Sequence, residues 1–104
     1  MSPEDILLKY ETIIEEVQTN LPDTKPVISC IAPREDSHKL QRNVDWINAC
    51  LNRKFGESGV TVVLNNDIRG KRLKRRDGIH LTEDGTFRLA SHMNRGVRRA
   101  LNIN

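Results

Sequence analysis

Apolar residues at the start of the chain recur at helical spacing: Ile6, Tyr10, Ile13, Ile14, Val17 and Leu21, with Leu7 beside them. Lys9, Glu11, Glu15 and Glu16 occupy the opposite face, so the pattern predicts one amphipathic helix with a solvated side. Ser2-Pro3-Glu4-Asp5 supplies its start: a hydroxyl cap, proline in the first turn, then acids facing the helix dipole. Pro22 ends it. The pattern then changes. Pro26-Val27-Ile28-Ser29-Cys30-Ile31-Ala32 is a short β-branched run that predicts a strand covered on both faces. After Pro33-Arg34-Glu35-Asp36, Ser37 caps a second predicted helix striped by Leu40, Val44, Ile47, Leu51 and Phe55 and ending near Gly56. Gly59-Val60-Thr61-Val62-Val63-Leu64 predicts a second strand, and residues 65–76 a polar loop. A third helix begins around Thr82, with Phe87, Leu89, Ala90, Met93, Val97 and Leu101 as its expected buried stripe.

Strands alternating with amphipathic helices imply parallel pairing and right-handed crossovers. Two strands are few for such a sheet, and their edges call for neighbours, so the chain by itself is expected to be marginally stable or self-associating. At 104 residues the chain is one domain spanning 1–104, without repeat, linker or low-complexity segment. No apolar run approaches the roughly 20 residues of a membrane helix. The acids Glu4, Asp5, Glu11, Glu15 and Glu16 exclude a signal or transit peptide in the opening residues. No membrane partner and an intracellular, cytoplasmic setting are therefore expected. Cys30 and Cys50 sit in apolar patterns without CxxC spacing and read as buried thiols; neither a metal nor a cofactor is implied.

Charge is unevenly placed. Residues 1–52 carry nine acids and five bases, whereas residues 53–104 carry five acids and twelve bases. Arg69, Lys71, Arg72, Lys74, Arg75 and Arg76 form a dense basic cluster, followed on the last helix by Arg95, Arg98 and Arg99. Such a cluster can neutralise phosphates, so these loop residues are candidate nucleic-acid contacts. Aromatics for base stacking do not accompany them, since only Phe55 and Phe87 follow Trp46. His38, at a helix start, and His92, on the last helix, are expected at the solvent surface, as is Arg34.

The stretch with the most chemistry is Asp77-Gly78-Ile79-His80-Leu81-Thr82-Glu83-Asp84-Gly85. An acid three residues before a histidine on a turn can fold back onto imidazole Nδ1. That fixes the tautomer and leaves Nε2 as a base, the acid–base half of a Ser-His-Asp triad. The same two residues would also serve as a purely structural turn. Asp77–Gly85 resembles the C-terminal signature of the SGNH (GDSL-type) hydrolases. The run from Val27 to Arg34 resembles the same family's penultimate strand and Pro-Arg turn. The helix with Asn43, Ile47, Asn48 and Leu51, followed by strand Val60–Leu64, is similar to its next βα unit.

The resemblance implies a flavodoxin-like, three-layer α/β/α fold in its C-terminal part only. It also implies ester hydrolysis through a serine acyl-enzyme, with Asp77 and His80 as catalytic residues and a small ester as substrate. The family's nucleophile lies in a GDS motif and its oxyanion donors are a glycine and an asparagine upstream of this region. The serines here, at 2, 29, 37, 58 and 91, are in no such setting, and Asn65-Asn66-Asp67 follows the last strand. The chain alone is thus expected to be inactive. SGNH-like domains also occur in mobile-element proteins, which keeps a basic, non-catalytic nucleic-acid-binding module as the alternative.

Overall fold

The computed structural model of the chain describes residues 2–103. Its elements follow the order α1 (Pro3–Asn20), β1 (Val27–Ser29), α2 (His38–Phe55), β2 (Thr61–Val63) and α3 (Glu83–Ala100). The caps are those the sequence provides. Ser2 and Asp5 form a reciprocal capping box on α1, Ser37 caps α2 through Leu40 N, and Thr82 caps α3 through Gly85 N. The strands pair in parallel, Val27 against Thr61, Ile28 against Val62 and Ser29 against Val63.

The pleat sends alternate residues to opposite layers. Ile28 and Cys30 join Ile14 of α1, Ile47, Leu51 and Phe55 of α2, and Val60 in one buried cluster. Val27 and Val63 face the other way, against Gly96 of α3. The result is α1 and α2 on one side of the sheet and α3 on the other. Asn48 ties α2 to the end of β1 by accepting from Ile31 N at 2.9 Å and donating to Ile31 O at 2.8 Å. Cys30 and Cys50 are buried free thiols. No described helix is long and apolar enough to cross a membrane.

The third helix departs from its predicted packing. Phe87 is 74% exposed, and Ala90, Met93, Val97 and Leu101 are exposed as well; only Leu89 of the expected stripe is half-buried. The face laid on the sheet carries Gly85, Leu89, His92 and Gly96 instead. A Cβ at Gly96 would collide with Val63, and one at Gly85 with the Leu73 carbonyl. Gly96 therefore lets the helix backbone lie closer to β2, and Gly85 closer to the Leu73 loop, than any larger residue permits. The loop before α3 also departs from expectation: Asn65, Ile68, Leu73 and Lys74 are all buried.

The two sheet edges differ. Cys30 N donates to Val63 O and Thr61 N to Pro26 O, so alternation along a parallel ladder turns Val27 and Ser29 away from β2 and Val62 away from β1. On the β2 side, Arg99 caps the outward Val62 carbonyl at 2.9 Å. Helical geometry places Met93, Val97 and Ala90 on the flank of α3 opposite Arg95 and Arg99, above the β1 side. Along β1 the Tyr10 hydroxyl reaches Ser29 O, at 3.5 Å.

Candidate active site

The Asp77–His80 turn sits at the carboxyl end of β1, held by short local bonds. Gly78 adopts φ +71, and a Cβ there would come within 2.8 Å of the Glu35 backbone. Glycine thus meets two needs at once, the left-handed conformation and the close approach of the Pro33–Asp36 turn. Glu35 N donates to Gly78 O at 3.0 Å, and Gly70 N donates to Glu35 Oε1 at 2.7 Å. Two legs of chain flank the turn: Lys74 bridges Leu81 in antiparallel fashion, Arg75 N donates to His80 O at 2.8 Å, and Thr82 N donates to Leu73 O at 3.1 Å.

Within the turn the two oxygens of Asp77 divide their work. Oδ1 accepts from Ile79 N and His80 N, both at 2.9 Å, while Oδ2 meets His80 Nδ1 in a short hydrogen bond. With Nδ1 engaged, Nε2 faces outward, and the His80 side chain is 73% exposed. The bond from His80, followed by the two backbone N–H donors, holds the Asp77 carboxyl well below the usual carboxylate range. Asp36, nearby, is also held low by Arg34, which donates to it through Nε at 3.0 Å and a second guanidinium nitrogen at 2.8 Å. Arg34 therefore braces the neighbouring turn through Asp36 while its side chain keeps 34% of its surface in solvent.

A carboxyl whose pKa falls on folding adds stability above its unfolded value, about 4, and loses it as pH drops toward the native value. The expected result is that Ile79 and His80 amide resonances hold their positions through pH 4 and move only well below it. Movement centred near pH 4 in a pH series of amide spectra would mean that the Asp77 contacts contribute no such bias.

Serines and thiols near the site are otherwise occupied. Ser29 Oγ accepts from Asn65 Nδ2 at 3.0 Å, and Ser37 Oγ caps α2 at 3.2 Å. Ser91 lies nine residues beyond the Thr82 cap, about 13 Å along the helix. Burial pushes the Cys30 thiol up to about 11, which keeps it protonated and a poor nucleophile. Among the described residues, His80 makes no hydrogen bond to a hydroxyl or thiol, and no cluster of His, Cys, Asp or Glu could hold a metal ion.

A second histidine–acid arrangement was missed by sequence reasoning. The His92 side chain is 10% exposed, not at the surface; its Nδ1 lies 3.0 Å from Asn65 Oδ1 and its Nε2 3.5 Å from Asp67. Asp67 in turn accepts from Arg88 at 2.9 Å. Both ring nitrogens are engaged, so this group fastens α3 to the strand ends. The signal for it was Asn65 directly after a strand, with His92 in register with Gly85, Leu89 and Gly96.

The basic cluster is also divided by the fold. Arg69, Lys71, Arg75 and Arg76 are exposed, Arg72 pairs loosely with Asp84 at 3.5 Å, and Lys74 is buried. Lys74 therefore faces into the protein while its neighbours face water.

No family model matches the sequence, and no curated protein matches it. Among solved structures, the chain is similar to the esterase domain of the ORF1 protein from the zebrafish ZfL2-1 retrotransposon, with a TM-score of 0.81 at 22% identity. The match covers 95% of this chain and 61% of that one, so the chain spans less than two thirds of the length of its structural neighbour. Three helices and a two-stranded parallel sheet, laid out as in that esterase domain, give this chain the architecture of the C-terminal part of an SGNH-type α/β fold.

Proposed function

We propose that residues 77–80 are the acid–base half of an SGNH-type serine esterase, for which a serine and oxyanion donors are supplied by polypeptide outside this chain's described residues. The observation that carries the reading is the division of Asp77: one oxygen organises the turn, the other engages His80 Nδ1 and leaves Nε2 outward. In the reaction, the serine oxygen attacks the ester carbonyl as its proton passes to His80 Nε2. The tetrahedral intermediate collapses, and the same proton leaves with the alcohol. Water, deprotonated by His80, then releases the acid from the acyl-enzyme. Asp77 keeps the tautomer and stabilises the imidazolium that forms at each step.

The fold also favours one side for the serine's arrival. α1 and α2 cover the same sheet face, so a strand preceding α1 with the usual right-handed crossover would lie beyond β1. There it would meet the outward groups of Val27 and Ser29 and the apolar flank of α3, near the turn that holds His80. The test is to join the N-terminal portion of a GDS-bearing SGNH domain to this chain and to measure hydrolysis of a short activated ester. Turnover that depends on His80 supports the assignment. A folded fusion whose turnover ignores His80 refutes it.

A second reading rests on the exposed Arg69, Lys71, Arg75 and Arg76, which leave one loop strongly cationic. Binding of DNA or RNA through this loop would weaken steeply with salt and drop when Arg75 and Arg76 are neutralised together. Gel shifts at low salt that reveal no complex at micromolar protein would remove this reading.

A further inference from the structure

Lys74 is 5% exposed, the only charged side chain among the described buried residues. Burying an ammonium costs several kcal/mol unless something answers it, so its surroundings need an explanation. Its Nζ donates to the Ile79 carbonyl at 3.0 Å. That carbonyl and the His80 N–H are the two ends of one planar peptide unit. Asp77 Oδ1 takes the N–H end at 2.9 Å, so the unit is gripped from both sides. The His80 Cα is attached directly to it, and any rotation of the plane would swing the imidazole away from Asp77 Oδ2.

The surrounding charges fit such a task. Burial pulls Lys74 below the ordinary lysine value, while the carboxylates of Glu35, Asp77 and Asp36 pull against it and Arg34 adds to the lowering. Three acids thus partly offset the burial of the cation, and all three belong to the turns that meet at Gly78. The hairpin bonds of Arg75 and Thr82 fix the legs of the turn, but neither touches the peptide between Ile79 and His80.

We propose that Lys74 is a positioning residue for the Asp77–His80 pair: its buried ammonium holds the Ile79 carbonyl and so sets where the imidazole stands. Its relevance to catalysis rests on the esterase reading, but its geometry does not. An apolar side chain of similar length would fill the space and leave the carbonyl unheld.

The test uses the 104-residue chain and its Lys74→Met and Lys74→Arg variants, compared by NMR at fixed pH. In Lys74→Met, with cooperative unfolding retained, the His80 Nδ1 proton signal should broaden away. The His80 amide should exchange at least about tenfold faster, while the Thr82 amide stays protected. Lys74→Arg, which keeps a donor, should restore both. A folded Lys74→Met with unchanged His80 signals overturns the proposal. If Lys74→Met does not fold, the wild-type chain still decides: a resolved Lys74 ammonium signal coupled to the Ile79 carbonyl carbon supports it, and no such coupling overturns it. In the serine-completed fusion, Lys74→Met should lower kcat about tenfold or more with KM unchanged. Absence of any hydrolysis with Lys74 intact would count against the esterase reading alone, since the spectra judge Lys74 separately.

Discussion

The chain by itself is expected to hydrolyse a short activated ester no faster than its His80→Ala variant. A base with an exposed Nε2 can activate water, but most of an acyl-transfer enzyme's advantage comes from a positioned nucleophile and from donors aimed at the developing oxyanion. Ser29 and Ser37 are committed to Asn65 and to a helix cap, and Cys30 is held protonated by burial. Once a serine and oxyanion donors are supplied, the expectation reverses. His80→Ala should then reduce kcat by about four to six orders of magnitude, and Asp77→Asn by about four, because the amide NH2 would donate to Nδ1 and hold the imidazole in the tautomer whose proton sits on Nε2, where it cannot act as base. Ester hydrolysis followed by a chromogenic leaving group measures both states. Strong His80-dependent activity in the chain alone would require a nucleophile among its own serines. A completed enzyme indifferent to both substitutions would leave Asp77 and His80 as a structural turn.

How far the sequence could be read depended on how local each determinant was. Caps, helix starts and the parallel β-branched runs depend on a few adjacent residues, so Ser2 and Ser37 cap as expected and the paired strands lie within the expected runs, though only Val27–Ser29 and Thr61–Val63 of them pair. The Asp77–His80 turn was legible for the same reason: the partners stand three positions apart and Gly78 marks the backbone reversal. The roll of α3 was not. Apolar periodicity pointed to Phe87, Met93 and Val97, but the helix seats its glycine face because Gly85 and Gly96 allow backbone approach and because buried Asn65 needs His92. Those determinants lie 27 residues apart in the case of Asn65 and His92, and no local pattern carries them. Lys74 was misjudged in a similar way. A run of bases reads as one solvated patch, yet the bridge between Lys74 and Leu81 fixes the orientation of this leg of the loop and turns that one side chain inward.

The same long-range network carries the largest stability effect expected of a single substitution. Asn65 is fully buried; its Nδ2 donates to Cys30 O at 2.7 Å and to Ser29 Oγ, and its Oδ1 faces His92 Nδ1. It therefore joins the end of β1, the loop after β2 and the sheet-facing side of α3. Asn65→Ala would leave the Cys30 carbonyl and His92 Nδ1 without their Asn65 partner and open a small void. Stranded buried polar groups cost about 1–3 kcal/mol each, so a loss of about 3–5 kcal/mol is expected. Against a total of about 5–15 kcal/mol for an ordinary domain, that is enough to unfold a sizeable fraction of the protein. Asn65→Asp separates shape from chemistry, because it keeps the outline but sets an acceptor against the Cys30 carbonyl. It should also be destabilised by more than about 2 kcal/mol. Ser29→Ala should cost less than about 1 kcal/mol, since Ser29 is half-buried and Asn65 keeps its stronger bond to Cys30 O. Urea unfolding midpoints, with slopes compared to confirm the same transition, give all three values. If Asn65→Asp unfolds at the wild-type midpoint, the amide donor is dispensable and α3 owes its roll to the Gly85 and Gly96 contacts alone.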